Sequence, residues 1–398
     1  MHARRGRGAR RSAAAGGRAD GRGRPASAPV ARAPLFLLAR KNLFEQPLRL
    51  LFAISGVGLS VMLILVMWAI LEGILGQAGA YVRNTEAQIW IVQKGFTDIS
   101  HGFSVVPGPL EGVPGVRSAN PITGARTEIQ TDEGKGNLAV IGYDTKSGVG
   151  GPWSFATDPA IPKPGQVVVD ETFARTAGLD VGDRLHLPDR PRSIVALSSG
   201  TNQFTNQLAF GELGDVQGLV RLRGDVNFFA LQVQPDNTRQ VQAEVRERFP
   251  GVTAFSKDTF VANNEREIRD GFQPILYVMV GIAFFVGLAI VGLTMYTATT
   301  EKAREYGVLS AIGADRGDLS GVILRQAAIT ALLGFIVGCL FVLPAGWVIR
   351  ELAPKTELEF PGWLFAITFV AATVMALVSS YLPIRRLASL DPAAVFRA

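Results

Sequence analysis

Residue types that perform metal or nucleophilic chemistry are few in this sequence. The three histidines, His2, His101 and His186, do not show the spacing of a zinc site. The only cysteine, Cys339, lies within an apolar run, so the chain can form neither an internal disulfide nor a cysteine-based metal site. The sequence therefore predicts no metal-binding residues.

Acid–base and phosphate-binding patterns are missing as well. Asp132-Glu133 and Asp170-Glu171 are neighbouring pairs, whose side chains point apart on a strand and so cannot share one proton-transfer step. The sequence contains neither a G-x-x-x-x-G-K-[ST] phosphate loop nor a G-x-S-x-G nucleophile turn. We therefore expect no catalytic residue, no cofactor-binding residue and no enzymatic activity in this chain.

The stretch 300–338 is instead suited to a mechanical role. It combines a charged segment, a glycine-containing break and the start of a long apolar run. On a helix, Val308, Leu309 and Ile312 share one face, and Gly313 suits the position just after a helix end. The pattern predicts a short amphipathic helix at 301–313 on the membrane surface, with an ordinary solvated loop as the alternative. The charged residues that precede its apolar face are Glu301, Lys302, Arg304 and Glu305.

Four apolar runs are long enough to cross a membrane, and they raise the mean hydropathy to +0.24. They lie at residues 48–71, 274–298, 327–349 and 363–384. The first is too long for a cleaved signal peptide and is interpreted as an uncleaved signal-anchor. In the third, Gly334 and Gly338 form a small-xxx-small pair that lets a neighbouring helix approach closely. The sequence thus predicts a membrane α-helical protein with four transmembrane helices.

Residues 77–273, between the first two runs, contain no segment long enough to span a membrane. Strand-like stretches at 89–92, 138–141 and 166–170 alternate with helix-like ones such as 238–249, separated by Pro and Gly. This pattern predicts a large α+β extracytoplasmic domain between spans one and two, built as compact lobes.

The distribution of charge predicts the orientation. Residues 1–49 hold 12 basic residues against two acidic ones, whereas 77–273 hold 19 basic against 23 acidic. The positive-inside rule then places both termini and the 301–313 helix in the cytoplasm. Residues 1–33 are rich in Arg, Ala and Gly and are expected to form a disordered tail. Contact with RNA or anionic lipid is the alternative to a plain cytoplasmic flank for this tail, and we predict no nucleic-acid partner.

The predicted division of the chain has four parts. They are the tail at 1–33, an amphipathic approach helix with span one at 34–76, the extracytoplasmic domain at 77–273, and spans two to four with the 301–313 helix at 274–398.

Four segments together resemble one family, the FtsX/MacB-like permease subunits of ABC transporters. They are EKAREYGVLSAIGA at 301–314, YLPIRRLASLDPAAVFRA at 381–398, LARKNLFEQPLRLL at 38–51 and GQVVVDETFARTAGLDVGDRLHL at 165–187. The stretch IGYDTKSGVGGPW at 141–153 looks most like the DevC-type branch. One departure is Gln326, where the family often carries Glu.

The resemblance implies a homodimeric permease of the bacterial cytoplasmic (inner) membrane, surrounded by lipids and driven by a separate ABC ATPase that binds ATP and Mg²⁺. It implies a MacB-like periplasmic core domain, substrate export or extraction on the outer side by mechanotransmission and, in the DevC-type branch, a periplasmic adaptor. It also implies that the 301–313 helix docks on the ATPase. The residues assigned to this coupling are Glu301, Arg304, Glu305, Val308, Leu309, Ile312 and Gly313.

A second function of another class is also compatible with these residues. FtsX-like proteins include transmembrane signalling subunits that activate an extracytoplasmic cell-wall hydrolase without transporting a substrate. Nearly 200 residues between spans one and two are more than such an activator needs, which favours the exporter.

Overall fold

A computed structural model of the protein describes residues 47–99, 104–107, 112–131, 134–203, 207–220, 225–311 and 314–388. The predicted basic tail, the approach helix before residue 47, Ile312 and Gly313 lie outside these residues. The helices are α1 (Pro47–Asn84), α2 (Glu171–Ala177), α3 (Leu213–Val220), α4 (Thr238–Arg248), α5 (Lys257–Glu301), α6 (Ala303–Ala311), α7 (Arg316–Leu352), α8 (Gly362–Ser379) and α9 (Tyr381–Ala388). The strands are β1 (Ile89–Gln93), β2 (Val106–Pro107), β3 (Val116–Thr131), β4 (Gly134–Tyr143), β5 (Gln166–Asp170), β6 (Arg184–His186), β7 (Pro191–Ser198), β8 (Gln207–Glu212), β9 (Asp225–Val226), β10 (Phe228–Val233) and β11 (Val252–Ser256).

Helices α1, α5, α7 and α8 form a bundle, and each is long and apolar enough to cross a membrane. The four predicted apolar runs therefore correspond to four helices. Side chains that face away from the bundle, such as Leu293, Leu343 and Ile367, are apolar and more than half exposed. This is the surface expected where a helix contacts lipid.

Aromatic side chains mark one level of the bundle. Trp68 of α1 lies 6.1 Å from Tyr277 of α5 and 5.7 Å from Trp363 of α8, measured between ring centroids. Helices α1 and α7 run side by side in the same direction, with Gly334 against Val57 and Gly338 against Val61. Continuing this pairing along both helices places Trp347 of α7 close to the level of Trp68. Trp and Tyr gather where a bilayer meets water. This aromatic belt therefore indicates a membrane–water boundary.

The fourth apolar run is interrupted near its end. Helix α8 ends at Ser379, and the short helix α9 begins at Tyr381. Pro383 explains the break, because it has no N–H to donate and its ring crowds the carbonyl one turn earlier. The predicted run at 363–384 is thus one spanning helix followed by a short amphipathic one.

The residues between α1 and α5 form a sheet domain around one nine-stranded sheet, in the order β11-β1-β10-β3-β4-β8-β5-β7-β6. Strand pairs are antiparallel except β4 with β8 and β5 with β7. The long hairpin of β3 and β4 connects the two halves, so the predicted lobes share a single sheet. This architecture confirms the α+β class.

Helices α1 and α5 continue from the bundle into the sheet domain. They run unbroken through residues 76–77 and 273–274, where the end of each apolar run suggested a domain boundary. Their far ends are polar toward water but pack into the domain's core, where Tyr81 and Phe260 are buried against Trp90. The two helices are therefore shared by both parts of the molecule.

Candidate coupling site at the bundle end remote from the sheet domain

The predicted amphipathic helix corresponds to α6, although its limits are shorter than the predicted 301–313. Glu301 is the last residue of α5, and Lys302 forms the cap between the two helices. After α6, the carboxylate of Asp315 accepts a hydrogen bond of 2.7 Å from the backbone N–H of Asp318 and caps the start of α7. Helix α6 therefore lies between two long helices, and the helix that follows it begins at a capped residue.

One side of α6 packs against the protein itself. Tyr306 is buried beside Leu319 and Ile323 of α7 and Leu387 of α9, and Leu309 is half-buried against this group. Leu309, which we predicted to belong to the docking face, therefore also supports the position of α6. We call this group the α6 cluster; its remaining members are Ala314 and Ile384.

The other side of α6 faces solvent. Arg304 and Glu305 are exposed, and the side chain of Val308 is 38% exposed. A surface with one exposed aliphatic residue between two opposite charges suits a protein contact with an apolar centre and a charged rim. Among the coupling residues that the structure describes, Arg304, Glu305 and Val308 are exposed on α6, and Glu301 is exposed at the end of α5.

Glu301 and Lys302 belong to a polar layer at the base of the bundle. The guanidinium nitrogens Nη1 and Nη2 of Arg49 in α1 donate hydrogen bonds to the two carboxylate oxygens of Glu301. Lys302 and Gln326 are nearly buried and line a cavity of about 40 Å³ next to this pair. Glu301 therefore ties α5 to α1, and Lys302 and Gln326 share one cavity beside this pair.

Gly334 and Gly338 lie where α7 contacts α1. A Cβ atom on Gly334 would stand 2.5 Å from the Cβ atom of Val57, and one on Gly338 would stand 2.5 Å from Cγ1 of Val61. Distances this short are incompatible with any side chain at either position unless the helices separate. The two glycines thus permit the close approach of these helices.

The sequence did not identify Arg49 or helix α9 as parts of this site. Arg49 and Glu301 are 252 residues apart, so no local pattern connects them. Helix α9 carried a usable signal, because Ile384 and Leu387 are three residues apart and face the α6 cluster while Arg385 and Arg386 are exposed.

Within the described part of the chain, no group of three or more His, Cys, Asp or Glu side chains is arranged to hold a metal ion. The site at α6 consists of a helix with one side packed on the α6 cluster and the other side exposed.

Comparison with known proteins gives two family matches. Residues 50–248, half of the chain, match the MacB-like periplasmic core domain, and residues 277–392 match the FtsX-like permease C-terminal domain. An uncharacterized ABC transporter permease of Mycobacterium tuberculosis (strain ATCC 25618 / H37Rv) is 26% identical over 354 residues, which cover 87% of this chain and 95% of that protein.

The macrolide export ATP-binding/permease protein MacB of Agrobacterium fabrum is 25% identical over 244 residues, or 57% of this chain. The chain matches only 37% of the length of that relative. Among solved structures, the periplasmic region of MacB from Actinobacillus actinomycetemcomitans is 12% identical, with a TM-score of 0.36, and the match covers 45% of this chain and 92% of that one.

Proposed function

This chain belongs to the family of FtsX/MacB-like ABC transporter permeases, and we propose that it couples ATP hydrolysis in a partner ATPase to the export or extraction of a substrate at the outer side of the membrane. It is a multi-pass membrane protein, and in this proposal the sheet domain lies outside and both termini lie in the cytoplasm. The ATPase docks on the exposed side of α6.

One observation carries the proposal: α1 and α5 extend without a break from the level of α6 into the sheet domain. At 1.5 Å per residue, their 38 and 45 residues are about 57 and 68 Å long. Near α6 they are joined by the Arg49–Glu301 ion pair, and beside the sheet domain Nη2 of Arg83 lies 2.6 Å from Oε1 of Glu265. Two stiff helices joined at both ends are suited to carry a movement from one side of the bilayer to the other.

The remaining components follow from the same proposal. ATP and Mg²⁺ bind to the ATPase subunit, since the sequence has no phosphate loop. A second copy of the permease completes the transporter in the bacterial inner membrane. A periplasmic adaptor of the kind used by DevC-type relatives would contact the sheet domain.

A single substitution in α6 tests the docking surface. We expect Val308→Glu to reduce co-purification of the ABC ATPase, and the ATP turnover of the complex, by about tenfold, because it places an unpaired charge at the apolar centre of the contact. The thermal stability of the permease should stay unchanged, since Val308 is exposed. Val181→Glu is a matched control, because Val181 is 45% exposed in the sheet domain.

Leu309→Glu separates docking from folding in the same experiment. Leu309 packs on the α6 cluster, so its replacement should lower the melting temperature of the permease itself. Unchanged ATPase binding and turnover in the Val308→Glu variant would contradict docking at α6.

The orientation has its own test. A periplasm-dependent reporter inserted beside Ile161, which is 68% exposed in the sheet domain, should be active, and one fused after residue 311 should be inactive. The reverse pattern would overturn the proposal. Co-purification of a cell-wall hydrolase with the sheet domain, without substrate-stimulated ATP turnover, would favour the signalling function instead.

A further inference from the structure

A polar groove opens where the sheet domain meets the membrane bundle. It lies between α2 and the strap, the name we give to residues 353–361 that join α7 to α8. Its volume is about 690 Å³, and its charged lining residues are Arg175, Arg350, Glu351, Glu357 and Glu359. The groove therefore presents two guanidinium groups and three carboxylates to a single space.

Helix α1 and the sheet domain hold the strap in place. The backbone N–H of Glu359 donates to the carbonyl of Ala69 at 3.1 Å. The carbonyl of Lys355 accepts hydrogen bonds from the amides of Gln77, at 3.2 Å, and Asn202, at 3.0 Å. Three hydrogen bonds, two with α1 and one with the sheet domain, therefore fix this wall of the groove.

Gly73 of α1 permits this arrangement. A Cβ atom at Gly73 would stand only 2.0 Å from the carbonyl oxygen of Glu357. Any other residue at this position would push the strap away from α1, and with it one wall of the groove.

The two arginines of the groove are available to a ligand. Among the described residues, the guanidinium groups of Arg175 and Arg350 make no hydrogen bond or ion pair. Loss of hydration raises the pKa of Glu357, against a hydrogen bond from Gln77, and the negative charges of Glu359 and Asp170 raise it further. A cation among these carboxylates and an anion between the arginines would both be stabilised.

An apolar stripe leads along α7 to the groove. Leu340, Leu343 and Trp347 are 61%, 72% and 65% exposed, and their spacing of three and four residues continues to Arg350. Trp347 belongs to the aromatic belt, so Arg350 lies at the height of the lipid headgroups. Acyl chains beside this stripe would place their headgroup at the groove.

We propose that the groove binds the headgroup of an outer-leaflet phospholipid that carries a phosphate and a primary ammonium group, that is, phosphoethanolamine. The phosphate lies between Arg175 and Arg350, the ammonium group donates to Glu351, Glu357 and Glu359, and the acyl chains follow the α7 stripe. The inference rests on the proposed function only in assigning the groove to the outer leaflet.

The charge pattern selects among headgroups. A choline group has no N–H to donate, so it cannot satisfy three carboxylates with hydrogen bonds. Phosphatidylglycerol has an anion but no cation, and the carboxylates would repel it. A headgroup with both charges and N–H donors complements the groove.

Native mass spectrometry of the purified full-length permease tests this site. After exchange into detergent with equimolar phosphatidylethanolamine, phosphatidylcholine and phosphatidylglycerol, the wild-type chain should retain phosphatidylethanolamine about tenfold over the others. Arg175→Gln with Arg350→Gln should reduce this retention about tenfold, because two charge-assisted contacts to the phosphate are lost. Arg239→Gln, at an exposed position on α4, is the control and should retain the lipid.

A second variant keeps the test decisive if the double variant is unstable. Glu357→Gln preserves both arginines and should reduce the preference for phosphatidylethanolamine over phosphatidylcholine. Equal retention of the three lipids by the wild-type chain, or unchanged preference in the variants, would overturn the proposal. Because no ATPase is present, this outcome is independent of transport, and the reporter fusions separately decide which leaflet the groove faces.

Discussion

Gly338→Ala should destabilise the permease, whereas Gly321→Ala on the same helix should not. The new Cβ atom at Gly338 would stand 2.5 Å from Cγ1 of Val61 and 2.8 Å from the backbone oxygen of Gly58. The backbone oxygen cannot rotate away, so α1 and α7 must separate. We expect a loss of about 1–3 kcal/mol in the free energy of unfolding, typical of overpacking.

Gly321 is a stringent control, because a Cβ atom there has no neighbour within 4 Å. Alanine is favoured over glycine inside a helix by about 1 kcal/mol, so Gly321→Ala should leave stability unchanged or raise it. Thermal unfolding of the two purified variants in detergent measures the difference. Equal melting temperatures would show that α1 and α7 are not in close contact.

A double-mutant cycle at Gly334 identifies the cause. The closest atoms to a Cβ there belong to the side chain of Val57, and the nearest backbone atom is 3.3 Å away. Val57→Gly, which removes both of these atoms, combined with Gly334→Ala should therefore show a favourable coupling energy and recover much of the stability that Gly334→Ala loses alone. No such recovery would be expected if the glycine mattered only for helix flexibility.

The membrane part could be predicted from the sequence because its signals are local. An apolar run long enough to span a bilayer identifies a helix by itself, and Gly334 and Gly338 are one turn apart. The ends of the helices were harder to predict from the sequence. Helix α1 continues to Asn84 because Tyr81 and Val82 pack into the sheet domain, a contact that the hydrophobic run ending near residue 71 does not reveal.

The fold of the sheet domain was harder to predict from the sequence, because its strands pair with strands that are distant in the chain. Strand β3 runs from Val116 to Thr131, but a sequence that contains Pro121 and many polar residues does not look like a long central strand. Pro121 is accommodated opposite Phe229 of β10. Only the assembled sheet shows that the two halves of the domain share this strand.

The candidate site was also predicted only in part from the sequence. The amphipathic pattern located α6, and its exposed and packed sides could be told apart only once α7 and α9 were seen against it. In the sequence, the strap is a short stretch with one lysine and two glutamates. Nothing in its sequence indicates that Lys355 receives hydrogen bonds from residues 278 and 153 positions away.

A buried ion cluster in the sheet domain gives the second large effect. Arg192 is 1% exposed, and its Nε lies 2.7 Å from Oδ2 of Asp215. Its Nη1 and Nη2 lie 2.8 and 2.9 Å from the carboxylate oxygens of Asp189. Arg192→Leu would leave the Asp215 carboxylate buried without its main partner. We expect a loss of about 3–5 kcal/mol, the cost of breaking a buried pair by removing one member.

Two further variants test this interpretation by thermal unfolding. Arg192→Lys should fall between the wild type and Arg192→Leu, since an ammonium group cannot bond two carboxylates in the planar geometry of a guanidinium. Arg184→Leu changes an exposed arginine on the neighbouring strand β6 and should have little effect. Equal stability of the Arg184→Leu and Arg192→Leu variants would contradict the role of the cluster.

Removing Arg192 should also change how the stability depends on pH through Asp215. In the wild type, burial opposes ionisation of Asp215, but hydrogen bonds from Arg192, Arg190 and the N–H of Gly165 outweigh it and hold the pKa of this carboxyl below its usual value. The resulting stability is complete above the unfolded pKa, about 4, and is lost as the pH falls through the folded pKa. In Arg192→Leu the balance moves toward burial, which favours the protonated acid. The difference in the free energy of unfolding between variant and wild type should therefore be largest near neutral pH and become smaller below about pH 4. A difference that stays the same from neutral pH to below about pH 4 would mean that the loss comes from packing and not from the unpaired charge.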